Sequence, residues 1–268
     1  MENPEQDKPE TIVFESESDN EKPEEKEEEE EEEKKKSAKR RAKSQQTLLK
    51  RCYCEDNPHI SEIGVDEVGR GPLFGRVYAA AVILPKDDSF DHSKMKDSKK
   101  FHSKKKIQEV AEYIKKNAIA WSVQYEDEKT IDDINILQAS QKAMHKCITK
   151  VVKEGTTRQP DLIKLLIDGN YFNPYTIITS KSRIEKLSHI CIEGGDNKYS
   201  AIAAASILAK VERDQYIEDL CAEHPDLVEK YSLDSNKGYG SRKHIEGIKQ
   251  HGITIWHRRS FGICKDYV

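Results

Sequence analysis

Apolar runs of strand length recur along the chain from about residue 60. They predict strands over these segments: 63–65, 77–84, 119–125, 162–167 and 189–192. Helical periodicity occupies three further stretches, at 103–116, 135–152 and 200–220. Strands interleaved with helices indicate an α/β layered fold.

The three predicted helices differ in how they present their apolar side chains. The first follows Ser103, its expected N-cap, and has one apolar face: Ile107, Val110, Ala111 and Ile114. The second has a longer apolar stripe and is expected to end at Gly155: Ile136, Ala139, Ala143, Met144, Cys147, Ile148 and Val151. The third is apolar nearly all round over 201–209, which predicts a helix buried against a sheet through its alanines.

The charge along the chain is strongly asymmetric. Residues 1–33 carry 17 acidic residues and three lysines, so the remaining chain, with 42 basic and 32 acidic residues, has a net charge of +10. We expect residues 1–50 to be a disordered low-complexity tail, because like-charge blocks without apolar residues cannot offset the entropy of ordering. The basic charge of residues 34–268 suits a polyanionic partner, although ordinary solvated surface lysines would give the same net charge.

The cysteines and the hydropathy indicate the cellular compartment in which the protein is expected. The six cysteines are scattered, and Cys52 and Cys54 lack the spacing of a zinc site. No signal peptide and no run of 18 apolar residues is present. We therefore expect reduced thiols, no membrane contact and a cytoplasmic monomer, with a nuclear location open if the basic block at 34–43 acts as an address.

Acidic residues follow apolar strands at three separate places. Asp66 and Glu67 end the first predicted strand, Asp168 ends the fourth, and Asp196 follows the fifth after two glycines. A single Asp-Gly pair is usually only a turn. Three strand ends can converge at one edge of a sheet, where α/β proteins bind their ligands. Hard oxygen ligands without nearby His or Cys favour Mg²⁺ or Mn²⁺.

A Gly-Arg-Gly turn, Gly69 to Gly71, follows the first acidic pair directly. With it, the chain resembles the ribonuclease HII family in five segments that occur in order: GVDEVGRG at 64–71; DSKK at 97–100; IDGN at 167–170; GGD at 194–196 with AAASILAKVERD at 203–214; and KGYGS at 237–241 with HRRSF at 257–261. The likeness extends from about residue 60 to the C-terminus, so residues 58–268 are predicted to form one catalytic domain. Arg76 departs from the family pattern, in which proline commonly follows Gly75.

The resemblance implies both a fold and an activity. The implied fold is a ribonuclease H-like mixed sheet flanked by helices, with a C-terminal helical part. The implied activity is endonucleolytic cleavage of the RNA strand of RNA–DNA hybrids and of single ribonucleotides in duplex DNA, which leaves 5′-phosphate and 3′-hydroxyl ends. Two divalent ions, Mg²⁺ or Mn²⁺, would be held by the four acidic residues: Asp66, Glu67, Asp168 and Asp196.

The resemblance also implies residues that contact the substrate. Gly69, Arg70 and Gly71 would recognise the 2′-hydroxyl, and Tyr239 would pack on the ribose. Further substrate contacts are implied at these positions: Lys99, Ser206, Lys210 and Lys237. We expect Lys100 and Arg213 to join the lysines in holding phosphates, whereas Lys210 has an ion pair with Asp214 as its alternative. His257 is expected to pack or cap rather than act as a base.

Two other functions compete with this one. A non-catalytic hybrid- or duplex-binding protein would retain the fold, but loss of one acidic residue would be its sign and all four are acidic here. Another two-metal nuclease, such as a resolvase or integrase, would share the carboxylates. The Gly69–Gly71 turn and Tyr239 argue against that alternative.

Overall fold

The computed structural model describes residues 48–156, 159–179 and 182–268. Most of the predicted disordered tail, residues 1–47, lies outside the described residues. Lys50, at the end of that predicted tail, forms an isolated parallel bridge with Tyr199. Its N–H donates to the carbonyl of Lys198 (2.9 Å), and its carbonyl accepts from the N–H of Ser200 (3.0 Å).

Seven strands form a five-stranded sheet and a separate small hairpin. In chain order they are β1 (Ser61–Val68), β2 (Val77–Ile83), β3 (Ala120–Glu126), β4 (Ile163–Asp168), β5 (Thr176–Ile178), β6 (Ile184–Lys186) and β7 (Ser188–Ile192). The large sheet has the order β3-β2-β1-β4-β7, and β5 pairs with β6. Strands β1 to β3 are antiparallel, whereas β4 and β7 continue parallel to β1.

Six helices belong to the described residues. They are α1 (Lys104–Asn117), α2 (Glu128–Gly155), α3 (Ser200–Glu223), α4 (Asp226–Tyr231), α5 (Leu233–Asn236) and α6 (Arg242–His251). Short 3₁₀ helices lie at His92–Lys94, Ser98–Lys100, Pro160–Leu162, Gly195–Asn197 and Gly262–Tyr267. None of these helices is long and apolar enough to cross a membrane. All six cysteines are free thiols.

The sheet is sandwiched between helices, as the α/β prediction requires. Alternate residues of β2 face opposite layers because side chains alternate along a strand. Ala79 and Ala81 pack in the cluster that contains α2, whereas Ala80 and Val82 pack in the cluster that contains α1 and α3. The mixed α/β fold with flanking helices is confirmed.

Gly64 allows the buried helix α3 to lie directly on β1. A Cβ at this position would stand 2.2 Å from the carbonyl carbon of Ala201, closer than any side chain tolerates. Asp66 lies two residues further along the strand and shares the face of Gly64. The close contact at Gly64 therefore brings α3 next to the first acidic residue of the predicted site.

The first two helices differ from prediction near their N-termini. Helix α2 begins seven residues before the predicted start, with Asp127 accepting from the N–H of Thr130 (2.8 Å). Asn135 has φ 65°, which interrupts the helix, and its side chain accepts from the N–H of Gln138 (3.1 Å) to begin the second part. Ser103 occupies the N-cap position of α1, but its side chain makes no capping hydrogen bond.

The C-terminal helices form a small cluster of their own against the end of α3, through Ile217 and Leu220. Leu227, Tyr231 and Ile248 from α4 and α6 pack with Phe74, which belongs to the connection between β1 and β2. This contact joins the C-terminal part of the chain to the turn that follows Asp66 and Glu67. The predicted C-terminal helical part is confirmed.

Candidate active site

The strand register brings the predicted acidic residues to one edge of the sheet. Val65 of β1 pairs with Ile167 of the parallel strand β4, so Asp66 and Asp168 follow at adjacent strand ends. The N–H of Gly195 donates to Oδ1 of Asp168 (2.7 Å). This bond brings the 3₁₀ turn that carries Asp196 to the same edge.

Glu67 lies beside Asp66 but has a different environment. Its Oε1 accepts from Nη1 of Arg70 at 3.2 Å, whereas Oδ1 of Asp66 accepts from the N–H of Glu67 at 2.7 Å. Burial raises the pKa of the Glu67 carboxyl, and the Arg70 guanidinium opposes that rise. Arg70 is therefore the cation nearest to the paired acids.

Mutual repulsion marks the carboxylates as a cluster. Burial, with Glu67 and Asp168 as neighbours, holds the pKa of Asp66 well above its usual range. Burial raises the pKa of Asp196, and Asp168 and Asp97 raise it further, while Lys99 lowers it. Buried carboxylates that repel one another leave negative charge for a cation to neutralise.

The donor set fits a hard divalent cation. No three His, Cys, Asp or Glu side chains of the described ranges form a ready-made metal cage. Mg²⁺ is commonly held by one or two carboxylates, with water and substrate phosphates completing its shell. The four residues supply carboxylate oxygens alone, which is the ligand type that Mg²⁺ and Mn²⁺ prefer.

The Gly69–Gly71 turn is supported from beneath by two buried arginines. Gly69 has φ +94°, and a Cβ there would lie 2.3 Å from Nε of Arg213, so only glycine fits. Arg258 donates to the carbonyls of Gly69 (2.6 Å) and Arg70 (3.0 Å). It also donates to the carbonyls of Pro72 (2.9 Å) and Gly75 (2.8 Å).

Tyr239 lies next to this turn, with 46% of its surface exposed. A Cβ at Gly71 would be in ordinary contact with its ring, at 3.7 Å from Cε1. The guanidinium of Arg213 lies 5.8 Å from the ring centroid. The exposed ring and the glycine turn therefore form one continuous surface at the edge of the acidic cluster.

The predicted lysine contacts lie in ion pairs or at the surface near the cluster. Lys99 is exposed and is close enough to Asp196 to lower its pKa. Lys210 pairs with Asp214 (2.8 Å) and Lys237 pairs with Glu218 (3.0 Å). The ion pair with Asp214, the alternative considered for Lys210, is present in the structure. Both lysines keep part of their side chains in solvent.

Ser206 and Arg213 differ from the expected surface positions. Ser206 is buried, bonds to Ser98 through their hydroxyls (3.0 Å) and donates to the Asp66 carboxylate. The prediction that Arg213 holds a phosphate is wrong. Arg213 is fully buried, donates to the carbonyl of Lys237 (2.9 Å) and packs against the backbone of Gly69, so its guanidinium is not free for a phosphate.

Three polar residues of this region had no predicted role. Asn197 donates to both Asp196 (3.1 Å) and Asp97 (3.3 Å). Its position directly after Asp196 is the one sequence feature that could have indicated a role in the site. Arg258 belongs to the HRRSF segment, but nothing in that segment indicates its four carbonyl partners. His244 is buried against His257, which agrees with the predicted packing role of His257.

A mixed sheet with acidic side chains at one edge, beside a glycine turn and an exposed tyrosine, defines a nuclease of the ribonuclease H class. The ribonuclease HII family model matches residues 63–264. The chain belongs to the ribonuclease HII family, the members of which are RNA–DNA hybrid endoribonucleases.

Individual relatives agree with this assignment over most of their length. A ribonuclease HII of Bacteroides thetaiotaomicron is 43% identical over 210 residues, covering 78% of this chain and 94% of the relative. A ribonuclease HII of Parabacteroides distasonis is 45% identical over 205 residues, with coverage of 76% and 92%. The solved ribonuclease H2 of Pyrococcus horikoshii OT3 shares the fold, with a TM-score of 0.57, 23% identity and coverage of 78% and 97%.

Proposed function

We propose that this enzyme hydrolyses the RNA strand of RNA–DNA hybrids and also cleaves at single ribonucleotides embedded in duplex DNA, leaving 5′-phosphate and 3′-hydroxyl ends. The observation that carries the proposal is the junction of two features. The acidic cluster lies directly beside the surface formed by the Gly69–Gly71 turn and Tyr239. A site for phosphodiester hydrolysis thus adjoins a surface suited to contact with a ribose.

The acidic residues are proposed to hold two divalent ions, Mg²⁺ or Mn²⁺. The ligands would be the four carboxylates described above: Asp66, Glu67, Asp168 and Asp196. When bound, such ions orient an attacking water and stabilise the leaving oxygen. The raised pKa of Asp66 and of Asp196 supports this role, because burial and neighbouring carboxylates disfavour a negative charge that a divalent cation would stabilise. Gly195 and Asn197 orient Asp168 and Asp196 by hydrogen bonds.

The glycine turn and Tyr239 are proposed to distinguish RNA from DNA. The 2′-hydroxyl is the group that separates the two sugars. The backbone of Gly71 is exposed and carries no side chain that would intervene, whereas Gly69 is buried and shapes the turn. Tyr239 presents an exposed ring on which a sugar can pack.

Lysines near the cluster are proposed to hold the phosphate backbone without selecting sequence. Lys99 and Lys100 follow Asp97 on the 3₁₀ turn at the cluster, and Lys100 donates to Asn197. Lys210 and Lys237 would exchange their intramolecular ion pairs for phosphate oxygens.

The decisive experiment compares cleavage of duplex DNA with one embedded ribonucleotide, a long RNA–DNA hybrid and an all-DNA duplex. We expect cleavage of the first two, loss of activity in EDTA and recovery with Mg²⁺ or Mn²⁺. Asp66→Asn should retain hybrid binding and lose cleavage. Full activity in EDTA would contradict the metal mechanism, and a wild-type protein that binds hybrid without cutting would favour the non-catalytic alternative.

Tyr239→Ala tests the ribose contact separately. The variant should lose most rate on the single embedded ribonucleotide, because a long hybrid offers many alternative registers. Equal losses of rate on both substrates would show that Tyr239 does not recognise the junction between the ribonucleotide and the DNA.

A further inference from the structure

The short segment Trp256–Arg258 pairs with the backbone that directly follows the Gly69–Gly71 turn. The N–H of Gly75 donates to the carbonyl of Trp256 (2.9 Å), and the N–H of Arg258 donates to the carbonyl of Leu73 (2.8 Å). Phe74 and His257 face each other in this antiparallel bridge. The segment is therefore fixed to the loop that carries the turn.

The side chain of Arg258 extends from this segment to the turn itself. Its guanidinium donates to four backbone carbonyls between Gly69 and Gly75, at 2.6 to 3.0 Å. Five donors in a rigid plane suit such a fan of acceptors, whereas a lysine supplies three donors at one point. The path of the turn thus depends on Arg258.

The neighbouring side chain, His257, extends towards Tyr239 through a second histidine. The N–H of Thr254 donates to Nδ1 of His257 (2.9 Å), and Nε2 of His257 lies 3.1 Å from Nε2 of His244. Nδ1 of His244 lies 2.9 Å from the carbonyl of Tyr239. We call these three hydrogen bonds the histidine relay.

The end groups of the histidine relay determine where each proton lies. An amide N–H only donates, so Nδ1 of His257 is unprotonated; a carbonyl only accepts, so Nδ1 of His244 carries a hydrogen. With both rings neutral, Nε2–H of His257 donates to the bare Nε2 of His244. Burial lowers the pKa of both rings, that of His257 to about 3 with His244 adding to the effect.

We propose that His244, His257 and Arg258 are positioning residues that set the separation between the Gly69–Gly71 turn and Tyr239, and thereby the discrimination between ribose and deoxyribose. Arg258 holds the turn, and the histidine relay holds the backbone of Tyr239. Both originate from adjacent residues of one segment. This inference rests on the proposed ribose recognition, but it assigns a role to three residues that touch no substrate.

The first test uses the wild-type protein and no substitution. Nitrogen-15 NMR of labelled histidine distinguishes the two neutral tautomers and the imidazolium. At pH 7 we expect His244 with its hydrogen on Nδ1 and His257 with its hydrogen on Nε2. Reversed tautomers, or a charged ring at either position, would overturn the histidine relay whether or not the enzyme cleaves embedded ribonucleotides.

The second test measures kcat and KM of His244→Leu on a single embedded ribonucleotide and on a long hybrid. Because small misplacements of positioning groups reduce rates by one to two orders of magnitude, we expect kcat to fall roughly tenfold more on the single ribonucleotide than on the hybrid. His244→Gln, which can still donate and accept, should recover part of the difference. It also serves as the test variant if the leucine variant does not fold.

Tyr231→Phe is the matched structural control. Tyr231 contacts both rings and donates to the carbonyl of Gly252 (3.1 Å), so its loss disturbs the same core without breaking the histidine relay. It should lower Tm and leave the substrate ratio unchanged. Equal shifts of that ratio in His244→Leu and Tyr231→Phe would overturn the proposal. A wild type that ignores the embedded ribonucleotide would instead overturn the proposed function.

Discussion

The N–H of Gly195 donates a 2.7 Å hydrogen bond to Oδ1 of Asp168, and a side chain at position 195 would press on the fully buried Ile202. A Cβ at Gly195 would stand 2.5 Å from Cδ1 of Ile202 and 3.3 Å from that same Oδ1. The turn that carries Asp196 therefore accepts a side chain at position 195 only if the turn or Ile202 shifts.

Gly195→Ala should weaken activation by divalent ions. The added methyl group displaces the turn from Ile202, which moves Asp196 relative to Asp168. Losses of groups that orient metal ligands reduce metal affinity or activity about 10–100-fold. The measurement is cleavage rate against Mg²⁺ concentration. Gly194→Asn is the control, because that position is left-handed, Asn tolerates such backbone and a Cβ there meets nothing within 4 Å; an unchanged Mg²⁺ curve for Gly195→Ala would contradict the expectation.

Asp66→Asn should raise the thermal stability of the metal-free enzyme at neutral pH. The raised pKa of Asp66 means that its charged form is disfavoured in the folded state, so the folded state loses stability as the pH rises through that pKa. The amide removes this charge, and a gain of about 1 kcal/mol raises Tm by roughly 2–4 °C in a domain of this size. Thermal melts in EDTA measure the change.

Two comparisons accompany the Asp66→Asn measurement. Glu193→Gln removes an exposed acidic side chain near the same edge and should leave Tm nearly unchanged. Saturating Mg²⁺ should stabilise the wild type more than it stabilises Asp66→Asn. The Tm advantage of the variant in EDTA should therefore shrink or reverse when Mg²⁺ is added. A variant less stable than the wild type in EDTA would show that Asp66 is not repelled by its neighbours.

The strand-end carboxylates were predictable because strand periodicity and turn glycines are local signals. Asp66 and Asp168 both follow apolar runs, and parallel pairing of those runs is enough to bring them together. The direction in which a long charged side chain points cannot be predicted from its neighbours in the sequence, because it depends on tertiary contacts. Arg213 was expected in solvent because its charge is evident from the sequence, whereas its carbonyl partners belong to segments far along the chain.

Other features were missed because their sequences carry no periodic signal. Strands β5 and β6 have three residues each, too few for alternation to be recognised. Asn135 interrupts α2 with a positive φ inside an otherwise helical stretch, and asparagine is common in uninterrupted helices as well. His244 and His257 are 13 residues apart on either side of a glycine turn, so only the tertiary structure brings them together.

Arg258→Lys should destabilise the fold far more than Arg259→Lys. Arg258 is fully buried and serves four carbonyls, whereas Arg259 is exposed. A lysine cannot donate to all four carbonyls, and each buried carbonyl left without a donor costs about 1–3 kcal/mol. We therefore expect a loss of roughly 2–4 kcal/mol in urea unfolding, with Arg259→Lys within about 0.5 kcal/mol of the wild type. Similar midpoints for the two variants would refute this account.

The buried histidines should make stability fall on acidification. Burial lowers the pKa of His244, and it lowers that of His257 from 6.5 to about 3. The unfolded state therefore binds protons first, so the stabilising contribution is complete above about pH 6.5 and is lost as the pH falls towards 3. Denaturant unfolding of wild type and His257→Gln between these pH values measures it. The free energy of unfolding of His257→Gln should depend less steeply on pH than that of the control His102→Gln, in which the replaced histidine is exposed. Equal pH dependence in the two variants would contradict the prediction.

The hydrogen bond from Arg258 to Gly69 spans 189 positions of the chain. A protein leaves the ribosome from its N-terminus, so all four carboxylates emerge while the segment that holds the Gly69–Gly71 turn is still being made. During synthesis the proposed metal ligands are therefore complete before His257 and Arg258, which are proposed to set the selectivity, have been added. A messenger truncated shortly before codon 256 would encode all four proposed metal ligands but would lack His257 and Arg258, two of the three residues proposed to position the Gly69–Gly71 turn and Tyr239.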